Sequence, residues 1–115
     1  MGHKKKNTDK RDLHQQAYDR LIRMQSFGDS KAADKKYDKE HDTDIVSGKI
    51  YSFSTYKTYW KHIKYFLQYV RENYPECRKL DKAEKYVAEW LQTRVDAGLS
   101  AWTVQTEAAA LNKLF

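Results

Sequence analysis

Apolar residues recur at helical spacing along most of this chain, and the polar stretches between them divide it into segments. Leu13, Ala17, Leu21 and Met24 fall four, four and three residues apart, with Ile22 and Phe27 alongside; this predicts a helix from about Asp9 that Gly28 stops. Ser30 is placed to cap a second helix reaching about His41, although only Ala33 and Tyr37 give it an apolar face. Its alternating charges, DKKYDKEHD, describe a solvated helix. Residues 42–53 (DTDIVSGKIYSF) break the pattern and read as a linker, with a short alternation from Ile45 to Phe53. Tyr56, Tyr59, Trp60, Ile63, Phe66, Leu67 and Val70 then form one wide apolar face. That helix would be capped by Ser54 or Thr55 and run to about Asn73, before Pro75 removes a donor.

A further helix is expected from Asp81, because Asp81 and Glu84 have the spacing of a capping box. Ala83, Val87, Trp90 and Leu91 would face inward, and Gly98 would end the helix. Ser100 would cap the last helix, with Val104, Ala108, Leu111 and Phe115 inward and Ala108 to Ala110 admitting a close neighbour. Because the chain stops while that helix is running, we expect it to be a piece of a longer protein. No internal repeat is visible, and the predicted class is all-α.

Composition sharpens this picture. A chain of 115 residues, 40% apolar and 14% aromatic, suits one small domain plus an extension. The formal net charge of +6 and pI near 9.3 suit an anionic partner. Residues 1–9 are expected to be a disordered polar tail, in which the HKKK at 3–6 could also touch phosphate. The single cysteine, Cys77, permits no internal disulfide, so a reduced, cytoplasmic setting is expected. No apolar run is long enough for a membrane span, no apolar stretch follows the basic start as a secretory signal requires, and Lys6 occupies the Ser/Thr place of a myristoylation motif.

The candidate chemistry is mostly exclusions. His3, His14, His41 and His62 are scattered without metal-ligand spacing. The acidic start of the linker suggests calcium, but Val46 and Ser47 stand where an EF-hand needs a ligand and then its glycine. No phosphate-cradling glycine loop or nucleophile–base pair is suggested. Cys77 reads as an ordinary loop cysteine, with a low-pKa thiol as the alternative. The expectation is therefore a non-enzymatic chain with no catalytic residue, cofactor, metal or small-molecule ligand. One positive signal remains: Lys57, Lys61, Lys64, Gln68 and Arg71 repeat at four-three-four-three spacing beside the apolar face. Such a stripe can solvate the helix and lie over aromatics, or it can span phosphates along a groove.

A family resemblance bears on that choice. Thr55, Tyr56, Phe66 and Tyr69 match an opening helix with an aromatic near its start and another about ten residues on. Val87 to Gly98 (VAEWLQTRVDAG) matches a second helix ending in glycine, and Leu99, Ser100, Thr103, Val104, Ala110, Leu111, Leu114 and Phe115 match a closing Leu-Ser-x-x-Thr-Val and Ala-Leu-x-x-Leu-Phe. In these features residues 51–115 resemble the core-binding domain of tyrosine recombinases, the phage-integrase family. The resemblance implies a small SAM-like bundle of four to five helices; residues 1–50, a basic tail with a helical extension and linker, lie outside the family pattern. It implies binding to double-stranded DNA at a recombination site for integration or excision, with other recombinase protomers as further partners. The catalytic domain, with its tyrosine nucleophile, would lie beyond Phe115, and the setting would be the cytoplasm of a bacterium hosting a phage or mobile element. The leading helix could pack on the bundle, contact a neighbouring protomer or bind flanking DNA.

By position, the resemblance assigns DNA contacts to Lys57, Thr58, Lys61 and Lys64, with His62 a weaker candidate, and to Thr103 and Thr106 at the start of the last helix, with Gln105 weaker. Thr103 is equally suited to a helix-start hydrogen bond. The chain departs from the family at Trp102, Glu107 and Ala110, which stand along the side of the last helix where basic or amide side chains are expected. There Glu107 would repel phosphate or accept from cytosine, and Trp102 would be half-buried packing or, alternatively, a stacking residue. The rival reading is a helical protein-interaction module in which Leu21, Ile22 and Tyr37 bind and the lysine stripe is idle.

Overall fold

The computed structural model describes residues 11–115, so the basic tail and the proposed helix start at Asp9 lie outside the described residues. The architecture is all-α: α1 (Leu13–Ile22), α2 (Lys31–His41), α3 (Phe53–Asn73), α4 (Leu80–Ala83), α5 (Val87–Asp96) and α6 (Ala101–Leu114). The longest helix, α3, packs against α6, α1 and α5. Five residues of α3, Ile63, Phe66, Leu67, Val70 and Tyr56, enter a core shared with Leu13, Ala17 and Leu21 of α1, Leu80 and Ala83 of α4, Trp90 of α5, and Ala110, Leu111 and Leu114 of α6. The leading helix α1 thus packs on the bundle.

Caps explain the boundaries, and three differ from expectation. The first helix, α1, ends at Ile22, six residues before the expected stop at Gly28, which instead sits at φ 92° in the turn that follows. Asp12, Ser30, Ser52 and Ser100 accept the N–H three residues on, at the starts of α1, α2, α3 and α6. Ser52, rather than Ser54 or Thr55, caps α3; its hydroxyl also reaches the Thr55 hydroxyl at 2.8 Å. The Asp81–Glu84 capping box does not form. The helix starts at Leu80 without a side-chain cap from Lys79, and Glu84–Tyr86 tightens into a 3₁₀ turn before α5. Gln16 of α1 supplies the missing acceptor: its Oε1 takes the Leu80 N–H at 2.9 Å, while its Nε2 donates to the Arg78 carbonyl at 2.7 Å. Asp81 instead pairs with Arg20 at 3.0 Å. Gly98, at φ 84°, closes α5 in the left-handed conformation that a glycine adopts without strain.

The linker is built rather than slack. The Asp38 carboxylate accepts from the Ile45 and Val46 N–H groups at 2.8 and 3.0 Å and from the Thr43 hydroxyl at 2.7 Å, folding the segment back on α2. Ile50 is buried and makes a single parallel bridge to Gln25, through Ser26 N–H to its carbonyl and its own N–H to Met24. Asp34 gathers the Tyr51 hydroxyl at 2.7 Å and Lys49 Nζ at 2.9 Å. Asp34 and Asp38 of α2 are thus occupied by donors from the linker, and Asp44 within it accepts the Ser47 hydroxyl at 2.7 Å.

Burial and the hydrogen bond to Asp34 push the Tyr51 phenol up to about 12; for Tyr74 the bond to Glu89 leads, with burial second, also to about 12. A phenol whose folded pKa is raised contributes stability that is complete below its ordinary value of 10.0 and lost as pH rises through about 12. We therefore expect the urea midpoint to fall across that alkaline window. A Tyr51→Phe/Tyr74→Phe double variant should fall less steeply; parallel curves would show that other groups govern the alkaline limit.

Candidate nucleic-acid interface

The outer face of α3 carries the lysine stripe. Lys57, Lys61, Lys64, Gln68 and Arg71 are all exposed, as their spacing predicts. From Ile45 to Arg71 the chain holds Lys49, Lys57, Lys61, Lys64 and Arg71 and no aspartate or glutamate. Among the described residues, Lys57, Lys61 and Lys64 pair with no carboxylate. Two of them lie over aromatic neighbours one turn earlier: Lys57 Nζ is 5.6 Å from the Phe53 ring centre, and Lys64 Nζ is 5.7 Å from that of Trp60. His14 of α1 lies beside this face. Burial is the main cause that pushes its pKa down, Asp12 opposes, and Arg71 and Lys64 add to the fall.

An open groove runs along this face, lined by Phe53, Tyr56, Lys57, Thr58, Trp60, Lys61 and Lys64. It brings together four of the six residues expected at a DNA contact. Thr103 and Thr106 lie elsewhere, in the first two turns of α6, and their hydroxyls serve that helix. The Thr103 hydroxyl meets the Ser100 hydroxyl at 2.9 Å, and the Thr106 hydroxyl donates to the Trp102 carbonyl at 2.9 Å. Gln105 is exposed. Phe53 and Trp60 were missed as groove residues; the i, i+4 spacing of each aromatic before a lysine was the available signal.

Several expectations for the bundle interior need correction. Glu107 is fully buried, not aligned on an exposed face, and so neither repels phosphate nor reads a base. Its carboxylate accepts Arg94 Nε and Nη2, each at 2.9 Å, and His62 Nδ1 at 2.9 Å. His62 is thereby buried and withdrawn from the surface. The Arg94 guanidinium lies 5.2 Å from the Trp90 ring centre and 5.6 Å from that of Tyr65. Ala110 is buried too, and the innermost seam of α6 is Glu107, Ala110, Leu111 and Leu114, a partial rotation from the face predicted. Trp102, expected half-buried, is 71% exposed, and Leu21, offered as surface, is fully buried; Ile22 and Tyr37 are exposed. Burial pushes the Cys77 thiol above its ordinary value, the opposite of an activated thiol.

Among the described residues, no cluster of three or more His, Cys, Asp or Glu side chains could hold a metal ion, and no helix is long and apolar enough to cross a membrane. No curated protein and no solved structure matches the chain. Residues 39–115, about two thirds of it, match the family described as phage integrase, N-terminal SAM-like domain, and that domain is a non-catalytic one. The all-α bundle agrees with that match, and the chain belongs to the phage-integrase N-terminal SAM-like domain family.

Proposed function

We propose that this chain binds double-stranded DNA as the core-binding domain of a site-specific tyrosine recombinase, holding one side of a recombination site during integration or excision in the cytoplasm. The observation that carries this reading is the run of lysines on α3 without a carboxylate partner among the described residues, in a stretch of chain that has no acidic residue. Lys57, Lys61 and Lys64 span about 10 Å of helix at 1.5 Å per residue. Their ammonium groups neutralise phosphates and release condensed counterions. Thr58, on the groove wall, supplies a hydroxyl for a phosphate or base edge. Cutting and rejoining of DNA through a phosphotyrosine link would belong to a separate catalytic domain.

Anisotropy titration of a labelled duplex across salt concentrations tests this. Wild type should bind weakly, with Kd on the order of 10⁻⁴ to 10⁻⁶ M at physiological salt. A Lys57→Ala/Lys61→Ala/Lys64→Ala variant should lose at least about tenfold in affinity at low salt and reduce the log–log salt slope by about one per lysine. Equal slopes for the two proteins would refute a phosphate-contacting role for the stripe. A protein-binding reading draws on another face, where Trp102 is 71% exposed. It gains if wild type shows no salt-dependent binding to DNA while remaining folded.

A further inference from the structure

The lysines account for phosphate contact, but not for the aromatic surface between them. Phe53, at the first position of α3, is 58% exposed although it belongs to an aromatic cluster. Its ring lies 6.3 Å from that of Tyr56 at 21° and meets Phe27 edge-on at 6.0 Å, which fixes its orientation from behind. Trp60, about two turns further along α3, is braced by Tyr18 in a tilted contact at 5.7 Å. The groove therefore has an aromatic floor held by α1 and the loop after it, and a rim of Lys57, Lys61 and Lys64. A regular duplex presents phosphates and base edges to a protein and keeps the faces of its bases stacked. Double-stranded DNA would engage the rim and leave the floor unused.

We propose that this groove takes an unpaired base of DNA, stacked on Phe53, with its flanking phosphates on the lysine rim and the next base toward Trp60, two turns further along. The proposal rests on DNA as the partner and adds that single-stranded or locally unpaired DNA is bound through its bases. Charge complementarity selects this occupant: the rim is cationic, and among the described residues no carboxylate lines the groove. An aromatic floor beneath a basic rim is the combination that single-strand binders use, because every base has a face to stack while the backbone is held by charge. Lys57 and Lys64 now lie over Phe53 and Trp60; entering bases would take the ring faces, and the two ammonium groups would swing to their phosphates.

The test titrates the full chain with three labelled oligonucleotides of equal length and charge per strand: oligo-dT, an abasic strand, and a hairpin duplex. The expected result is that oligo-dT binds at least about fivefold more tightly than the abasic strand, the lower end of what one stacked base contributes. Phe53→Leu keeps apolar bulk at the first turn but removes the ring. It should erase most of that difference and leave duplex affinity within about twofold, with the circular dichroism of wild type. Equal binding of oligo-dT and abasic strands, with the duplex bound, overturns the stacking proposal alone. Phe53→Leu weakening duplex and single strand alike also overturns it. Failure of all three oligonucleotides to bind a folded chain overturns both this proposal and the DNA-binding reading beneath it.

Discussion

Glu107→Ala should lower the stability of the domain by roughly 3 kcal/mol, read as a fall in urea midpoint with unchanged slope. The carboxylate is fully buried and receives three hydrogen bonds, two from Arg94 of α5 and one from His62 of α3. It is the joint at which α3, α5 and α6 meet through polar groups. Removing it leaves a guanidinium and an imidazole facing one another without an acceptor, in a site where water can reach only part of Arg94, whose side chain is 27% exposed. That partial exposure keeps the loss toward the low end for a broken buried pair. Glu107→Gln retains a carbonyl acceptor at the same length, so it should lose less than the alanine variant. An alanine variant as stable as wild type would mean that the trio is solvated in solution and holds nothing together.

The same residue shows where the sequence stopped being informative. The pattern on α3 was legible because its partners are mainly apolar and recur every three or four residues, and Ile63, Phe66, Leu67 and Val70 are buried as expected. On α6 a glutamate sits in the buried seam, and its partners lie 13 and 45 residues away. Periodicity assigns a charged residue to solvent, so the predicted face turned away from Glu107 and Ala110 toward Val104 and Ala108. The start of α4 failed for a similar reason: its cap comes from Gln16, 64 residues earlier, and no local motif records that. The α3 start failed through local ambiguity, since Ser52, Ser54 and Thr55 are all competent caps and the buried Ile50 just before them anchors the entry. The candidate site was legible in its lysines, which one helix face collects. Its aromatic floor was less so, because the exposure of Phe53 depends on Phe27 and Tyr56 packing behind it.

Phe66→Ala should be at least as damaging, by about 3–5 kcal/mol. Phe66 has no exposed surface, and its ring meets Trp90 of α5 at 5.5 Å and Phe115 at 6.2 Å, both edge-to-face. Truncation removes the apolar area of the ring and leaves a cavity at the centre of the contact between α3 and the C-terminal pair of helices, a place that rigid helices cannot close. The aromatic geometry with both neighbours is lost as well. Phe66→Leu refills much of the volume and should cost clearly less, so the difference between the two variants isolates the cavity from the loss of the aromatic contacts. Against a domain stability of about 5–15 kcal/mol, the alanine variant should be partly unfolded at modest urea. Its affinity for DNA should then fall in proportion to the folded fraction, whereas the lysine variants should weaken binding while remaining fully folded. Measuring both quantities on both kinds of variant separates residues that hold α3 in place from residues that α3 presents. If Phe66→Ala keeps a wild-type urea midpoint, the contact between α3 and α5–α6 is not the centre of the core.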